Sequence, residues 1–162
     1  MATARGRAAV TSPRRTRLAD VCALLNDEGA RYVLVGASAM QLWGTTRATR
    51  DVDILIEATK ENAERVLAAL SRSGFGFAKE WLADTVATKP VTIIGDSPRV
   101  DILTVAWCVR YPEVIPRATT FTLEGVAIPT ASIDNLIASK RTGRLQDAAD
   151  IEVLEQIRRL RR

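Results

Sequence analysis

The sequence predicts one α/β or α+β domain with a small mixed β-sheet flanked by helices. Three observations support this fold class: helix-like and strand-like apolar patterns alternate along the chain, aliphatic runs end at glycine or turn residues, and the C-terminal part returns to a helical pattern. With 162 residues and 47% hydrophobic residues, the chain is long enough for a single hydrophobic core.

The first half of the domain alternates helix and strand. Apolar residues recur at helical spacing after Leu18, and glycines stand where helices are expected to end. In order, the predicted elements are a helix from Leu18 to Gly29, a strand over 31–35, a turn at Gly36, a helix over 38–43 closed by Gly44, a strand over 51–56 and a helix over 61–70 that stops near Gly74.

The second half begins with strands and ends with helices. Gly95-Asp96-Ser97-Pro98 has the composition of a turn, so the runs 91–94 and 99–105 are predicted to pair as a hairpin. Alternating residues around Phe121 and a break at Glu124-Gly125 predict a further strand or small hairpin. Two closing helices are expected, one leading to Lys140 and one after Gly143.

Basic residues are concentrated at the two ends of the chain. Nine of the 23 lysines and arginines lie in 1–17 and 158–162, which leaves 14 basic against 19 acidic residues, a net charge of −5, in 18–157. We therefore expect a disordered basic tail over 1–17, a folded domain over 18–157 and a basic C-terminal end over 158–162. The basic ends suit nucleic-acid contact or simple solvation equally well.

Missing residue types exclude several kinds of chemistry. The chain has no histidine, so serine-histidine triads, histidine bases and imidazole metal sites are excluded. Cys22 and Cys108 lie in apolar surroundings, which argues against a disulfide framework or a cysteine-built zinc site. No apolar run approaches the ~18–20 residues that span a membrane. We expect a cytoplasmic protein with no membrane partner.

Aspartates alternate with aliphatic residues on two predicted strands. Asp51 and Asp53 are two residues apart, so both side chains point to one face, roughly 6–7 Å apart, and a hard divalent cation is the usual way to relieve their repulsion. Asp101 repeats the pattern and supplies a third carboxylate. Such a triad suits two Mg²⁺ ions that clamp a triphosphate, with Asp101 also drawing the proton from an attacking hydroxyl. The alternative is a solvated face of an edge strand.

Candidate phosphate contacts lie around these acids. Gly36 ends a strand and opens a helix, so its missing side chain lets phosphate approach backbone N–H groups. In the loop before the acids, Arg47 suits phosphate contact and Arg50 suits a counter-ion to the aspartates. Lys140 belongs to a charged cluster with Asp147 and Asp150, which fits nucleotide contact and local ion pairing equally well.

Together these motifs resemble the polymerase-beta-type nucleotidyltransferase superfamily. The similar segments are Val35-Gly36-Ala37-Ser38-Ala39, Arg47 to Ile54, Val100-Asp101-Ile102, and the closing run from Ile128 to Ile151, so that the resemblance covers about 18–157. It is greatest to small bacterial members, the minimal nucleotidyltransferases and abortive-infection-type toxins. The resemblance implies that Asp51 and Asp53 bind magnesium, that Asp101 completes the metal and base site, and that Gly36 and Ser38 face the triphosphate. Ala37 stands where the family usually has Gly or Ser.

The resemblance implies a magnesium-dependent enzyme that transfers a nucleoside monophosphate from a nucleoside triphosphate to a hydroxyl, with two Mg²⁺ ions as cofactors. An RNA end such as tRNA, or a protein, is the first expected acceptor, in a possible toxin–antitoxin component with a cognate protein partner. One alternative is an antibiotic-modifying nucleotidyltransferase. Another is a catalytically silent module that binds a nucleotide or a partner, for which Ala37 argues mildly. DNA binding through the last helices and the basic ends is a third class.

Overall fold

A computed structural model describes residues 17–46, 48–72, 78, 80–95 and 98–162 of the chain. Within them, six strands form one mixed sheet that is flanked by helices, which confirms the predicted fold class. The strands are β1 Tyr32–Val35, β2 Val52–Ile56, β3 Val91–Ile94, β4 Val100–Leu103, β5 Thr119–Leu123 and β6 Val126–Thr130. The helices are α1 Arg17–Asp27, α2 Gly36–Trp43, α3 Lys60–Ser71, α4 Ala83–Thr88, α5 Tyr111–Val114, α6 Ile133–Ser139 and α7 Leu145–Leu160.

The strand order across the sheet is β3-β4-β2-β1-β6-β5. Both predicted hairpins are present, because β3 pairs antiparallel with β4 and β5 with β6. Glu124 and Gly125, the two residues between β5 and β6, both have positive φ, 50° and 79°, as a tight hairpin turn requires. The central pairs are β1 antiparallel to β2, β2 parallel to β4, and β1 parallel to β6. The parallel pairs make the sheet mixed.

Alternation along β1 and β2 places Leu34 and Ile54 on one face of the sheet and Asp53 on the other, and both faces carry buried apolar residues. Leu34 lies opposite Ile54 in the antiparallel pair, and both side chains are fully buried. Tyr32 belongs to the same face, and its hydroxyl lies 2.9 Å from Oδ1 of Asn26 in α1. The helices α1 and α3 therefore cover this side of the sheet, while Asp53 points to the other side.

Several elements differ from the sequence prediction. The helices α4 and α5 were not predicted, and neither was the 3₁₀ turn Ile115–Arg117 that follows α5. They span six, four and three residues, too few for a helical apolar pattern to be recognised. The strand predicted over 99–105 is shorter and covers Val100–Leu103. The turn residues Asp96 and Ser97, and Gly74 after α3, lie outside the described residues.

The two predicted basic ends of the chain can be compared with the structure only in part. Residues 1–16 of the predicted basic tail lie outside the described part, and Arg17 already belongs to α1. At the other end, α7 continues to Leu160, so most of the predicted basic C-terminal end is helical. Among the described helices, none is both long and apolar enough to cross a membrane.

Candidate active site

The three predicted acids lie on one face of the sheet. Parallel pairing of β2 with β4 places Asp53 opposite Asp101, and Asp51 precedes β2 by one residue. The N–H of Val52 donates to the carbonyl of Arg99 at 2.9 Å, which fixes the register at the start of both strands. Because alternate residues share a face, Asp51, Asp53, Arg99 and Asp101 all lie on the side opposite α1.

Asp53 has the most perturbed acidity of the three. The pKa of Asp53 is raised from 3.8 to about 6, mainly by burial and then by the negative charges of Asp101 and Asp51. The positive charges of Lys140 and Arg99 act in the opposite direction. The carboxylate of Asp53 is therefore held in a site whose negative charge is only partly balanced, and a bound cation would stabilise its ionised form.

Arg99 forms a two-pronged ion pair with Asp101. Its Nε donates to Oδ1 at 2.7 Å and its Nη2 donates to Oδ2 at 3.1 Å. The hydrogen bond to Asp101 raises the pKa of Arg99, and so do the charges of Asp101, Asp51 and Asp53. Arg99 was not among the residues predicted from the sequence. Its position two residues before Asp101 on a predicted strand was the signal that both side chains share a face.

Gly36 packs directly against Asp53. A Cβ built on Gly36 would lie 2.1 Å from Oδ2 and 2.9 Å from Cγ of Asp53, too close for any side chain. The backbone φ of Gly36 is +67°, a region that L side chains rarely adopt. Gly36 was predicted because a bare backbone admits phosphate. The structure adds a separate reason, since only glycine leaves room for the Asp53 carboxylate at this turn.

Ser38 and the loop before β2 hold Asp51 in place. The buried Ser38 hydroxyl donates to the backbone carbonyl of Asp51 at 2.7 Å, and the N–H of Asp51 donates to Oγ1 of Thr49 at 2.9 Å. Ser38 also lines a cavity of about 890 Å³, together with Arg50 and the first residues of α1. Thr49 lines this cavity as well, and the predicted contact of Ser38 with triphosphate stays a prediction. Arg47 lies outside the described residues.

Lys140 is held by two buried aspartates at the junction of α6 and α7. Its Nζ lies 2.8 Å from Oδ2 of Asp150 and 3.7 Å from Oδ1 of Asp147. Burial alone would raise the pKa of Asp147, but hydrogen bonds from Thr142 and Arg144 and the charge of Lys140 lower it. The local ion pairing expected from the sequence is thus present. The same Lys140 also acts on Asp53 through its charge.

Two connected cavities lie beside Asp53. The first, here called the Trp107 cavity, has a volume of about 280 Å³, and the second, the α2 cavity, of about 260 Å³. Five residues line both: Gly36, Asp53, Lys140, Arg144 and Asp147. Asp101, Leu103 and Trp107 line only the Trp107 cavity, whereas Ala37, Thr49 and Asp51 line only the α2 cavity. Asp53 thus borders both cavities, with Asp101 beside the first and Asp51 beside the second.

The donor set suits a hard divalent cation, although the carboxylates are not arranged as a finished metal site. Among the described residues, no three acidic or cysteine side chains come close enough together to hold an ion as they stand. Asp101 is occupied by Arg99, and Asp53 is destabilised as an anion by burial and by its acidic neighbours. Carboxylate oxygens are the ligands that Mg²⁺ prefers, so the residues present fit such an ion once Asp101 turns toward Asp53.

Comparison with known families identifies a relative for most of the chain. A family model described as Aminoglycoside-2''-adenylyltransferase matches residues 17–154. The matched range begins with α1, includes Gly36, all three acids and Lys140, and ends within α7. No curated protein matches the chain.

Proposed function

The chain belongs to the aminoglycoside-2''-adenylyltransferase family, a nucleotidyltransferase-type family, and we propose that it transfers AMP from ATP to the 2''-hydroxyl of an aminoglycoside. The acceptor in this proposal rests on the family match, and the observation that supports nucleotidyl transfer is the register of two parallel strands. It sets Asp53 opposite Asp101, with Asp51 on the same face and Gly36 packed against Asp53. Carboxylates gathered on one sheet face can hold the divalent ions that assist transfer of a phosphate group.

The family match favours one of the alternatives over the first expected acceptor. The match supports the nucleotidyltransferase superfamily broadly and does not favour its toxin-type members. An antibiotic acceptor was the alternative in the sequence analysis and is now the first choice. Transfer to RNA or protein, with a cognate antitoxin or toxin as partner, stays a prediction without an observation of its own.

The proposed reaction is a displacement at the α-phosphorus of ATP. The acceptor oxygen forms a bond to that phosphorus, the bond to the bridging oxygen of the β-phosphate breaks, and pyrophosphate leaves. The hydroxyl proton passes to the carboxylate of Asp101, which lines the Trp107 cavity. Arg99 must release Asp101 at this stage, and its exposed guanidinium is then available to pair with phosphate oxygens.

Magnesium is the proposed cofactor, as two ions. Asp51, Asp53 and Asp101 would hold it, and Asp53 is the residue most in need of a positive neighbour. Bound Mg²⁺ supplies positive charge to the triphosphate and makes the α-phosphorus more susceptible to attack. The ionised form of Asp53 is disfavoured below pH 6, so the three acids are best suited to hold a cation at neutral pH and above.

Lys140 is the proposed nucleotide contact from the C-terminal part of the domain. It lines both cavities, and its position is fixed by Asp150 and Asp147. Its positive charge also favours the ionised form of Asp53. Gly36 and Ser38 are proposed to contact the triphosphate at the start of α2, and Arg47 from the preceding loop.

Charge also supports a cationic acceptor. Residues 18–157 carry a net charge of −5, which attracts an aminoglycoside with its several protonated amines. Three arginines of the C-terminal end have partners within the domain. Arg158 pairs with Asp134 at 2.8 Å, Arg159 with Glu155 at 3.9 Å, and Arg161 lies 4.9 Å from the ring centre of Trp43.

Product analysis tests the regiochemistry of the proposal. Purified protein would be incubated with ATP, MgCl₂ and kanamycin, an aminoglycoside with a free 2''-hydroxyl, and in parallel with neamine, which lacks the double-primed ring. We expect mass spectrometry to detect kanamycin carrying one AMP, NMR to place it on the 2''-oxygen, and neamine to stay unmodified. AMP on neamine, or on another hydroxyl of kanamycin, would contradict the 2'' assignment.

A further inference from the structure

We propose that Trp107 forms the aromatic wall of the acceptor site and stacks on an amino-sugar ring of the cationic acceptor, beside Asp101. This inference rests on the proposed function and adds to it the residue that binds the acceptor and the side of the acids from which the acceptor enters. The sequence analysis had no reason to select Trp107, which lies in a short turn after β4 without any periodic pattern.

The indole of Trp107 is exposed at the mouth of the ligand space. It is 61% exposed, and it lines the Trp107 cavity with Asp53, Asp101 and Leu103. The other two tryptophans have ring partners: Trp43 meets Phe121 edge to face with ring centres 5.0 Å apart, and Nζ of Lys89 lies 5.9 Å from the ring of Trp81. Within the described part of the chain, no such ring partner is found for Trp107. Its indole face is available to a ligand.

The backbone of Trp107 is held in a conformation that favours glycine. Ala106 and Val109 exchange two backbone hydrogen bonds, of 2.9 and 3.1 Å, so Trp107 and Cys108 form a two-residue turn. The φ angle of Trp107 is +57°, and a positive φ at the first central residue is the position where such turns usually have glycine. A large aromatic residue here costs stability. Ligand binding accounts for both the strain and the exposure.

The position of Trp107 favours the acceptor over the nucleotide. Trp107 shares its cavity with Asp101, the proposed proton acceptor for the hydroxyl. Asp51 and Ala37, which belongs to the start of α2 where the triphosphate is expected, line only the α2 cavity. The face of an indole ring attracts cations, and an aminoglycoside presents protonated amines beside apolar ring faces. Leu103 extends the apolar part of the same wall.

The test uses Trp107→Gly, because glycine removes the indole and also relieves the positive φ, so the variant should fold with a Tm no lower than wild type. Trp107→Phe keeps an aromatic ring, and Trp81→Phe is the matched control at a tryptophan away from the site. For each protein, KM for kanamycin and for ATP would be measured, together with quenching of tryptophan fluorescence by kanamycin without ATP.

We expect Trp107→Gly to raise KM for kanamycin roughly 10-fold and to leave KM for ATP within about twofold, while Trp107→Phe stays within about threefold for both. Kanamycin should quench the tryptophan fluorescence of wild type and of Trp81→Phe, and should quench that of Trp107→Phe much less. An unchanged KM for kanamycin in Trp107→Gly, or a rise in KM for ATP instead, overturns the inference alone. If wild type neither modifies nor binds kanamycin, the proposed function fails and the inference with it.

Discussion

Asp53 is partly buried and has two acidic neighbours. Its replacement by a neutral residue should therefore stabilise the fold and remove the activity. The pKa of Asp53 is raised from 3.8 to about 6. Because the pKa of Asp53 is higher in the folded than in the unfolded protein, the folded protein loses stability as pH rises from about 4, the unfolded pKa, to about 6, the folded pKa. We therefore expect Asp53→Asn to abolish transfer and yet to raise the free energy of unfolding by roughly 1–3 kcal/mol at pH 7.5 without metal.

Thermal melts of both proteins at pH 4 and pH 7.5 check this prediction. The two melting temperatures should nearly coincide at pH 4, where Asp53 is protonated, and the variant should melt several degrees higher at pH 7.5. Adding MgCl₂ at pH 7.5 should raise the Tm of wild type more than that of Asp53→Asn. A variant that melts below wild type at pH 7.5 would show that the ionised form of Asp53 does not destabilise the folded protein.

Gly36 and Gly125 form a matched pair of glycines, both with positive φ. A side chain on Gly36 would collide with Asp53, whereas nothing lies within 4 Å of a Cβ on Gly125. We expect Gly125→Ala to cost only the conformational penalty of about 1 kcal/mol and to keep its activity. Gly36→Ala should lose at least 10-fold in kcat, because Asp53 must move, and should melt at a lower temperature than Gly125→Ala. Equal activities would show that the contact with Asp53 does not matter for transfer.

The elements that carry the site were largely predictable from the sequence. Period-two alternation around Asp53 and Asp101, with glycines at the ends of strands and helices, predicted both strands and the side on which their acids lie. Their pairing was not predictable, because a slip of one residue would turn Asp101 to the opposite face, and only tertiary packing selects the register. Arg99 and Trp107 were missed because their roles depend on that packing.

At the junction of α6 and α7, the stability of the fold depends on the buried ion pairs of Lys140. Lys140, only 11% exposed, holds Asp150 and Asp147. Lys140→Met would leave both aspartates buried without their lysine, which we expect to cost about 2–4 kcal/mol. Arg158→Met is the control, because it removes an exposed ion pair between the same two helices, Arg158 with Asp134, and should change stability little. Urea unfolding would compare the stabilities of the two variants. Equal unfolding midpoints would contradict a stabilising role for the buried ion pairs of Lys140.

At the scale of the whole molecule, the central claim is that this acidic domain is a nucleotidyltransferase that acts on a small cationic acceptor. The family match covers the acids, the glycine turn and Lys140, and most of the chain around them. The net charge of −5 over 18–157 and the intramolecular contacts of the C-terminal arginines agree with such an acceptor better than with RNA.

The most direct measurement is transfer of label from α-labelled ATP in the presence of MgCl₂, with kanamycin, total tRNA or no added acceptor. Wild type would be compared with Asp51→Ala/Asp53→Ala and with Asp84→Ala, which removes an exposed acid outside the site. We expect label on kanamycin for wild type and Asp84→Ala, none for the double variant, and none on tRNA or on the protein. Label on tRNA instead of kanamycin, or equal labelling by the double variant, would contradict it.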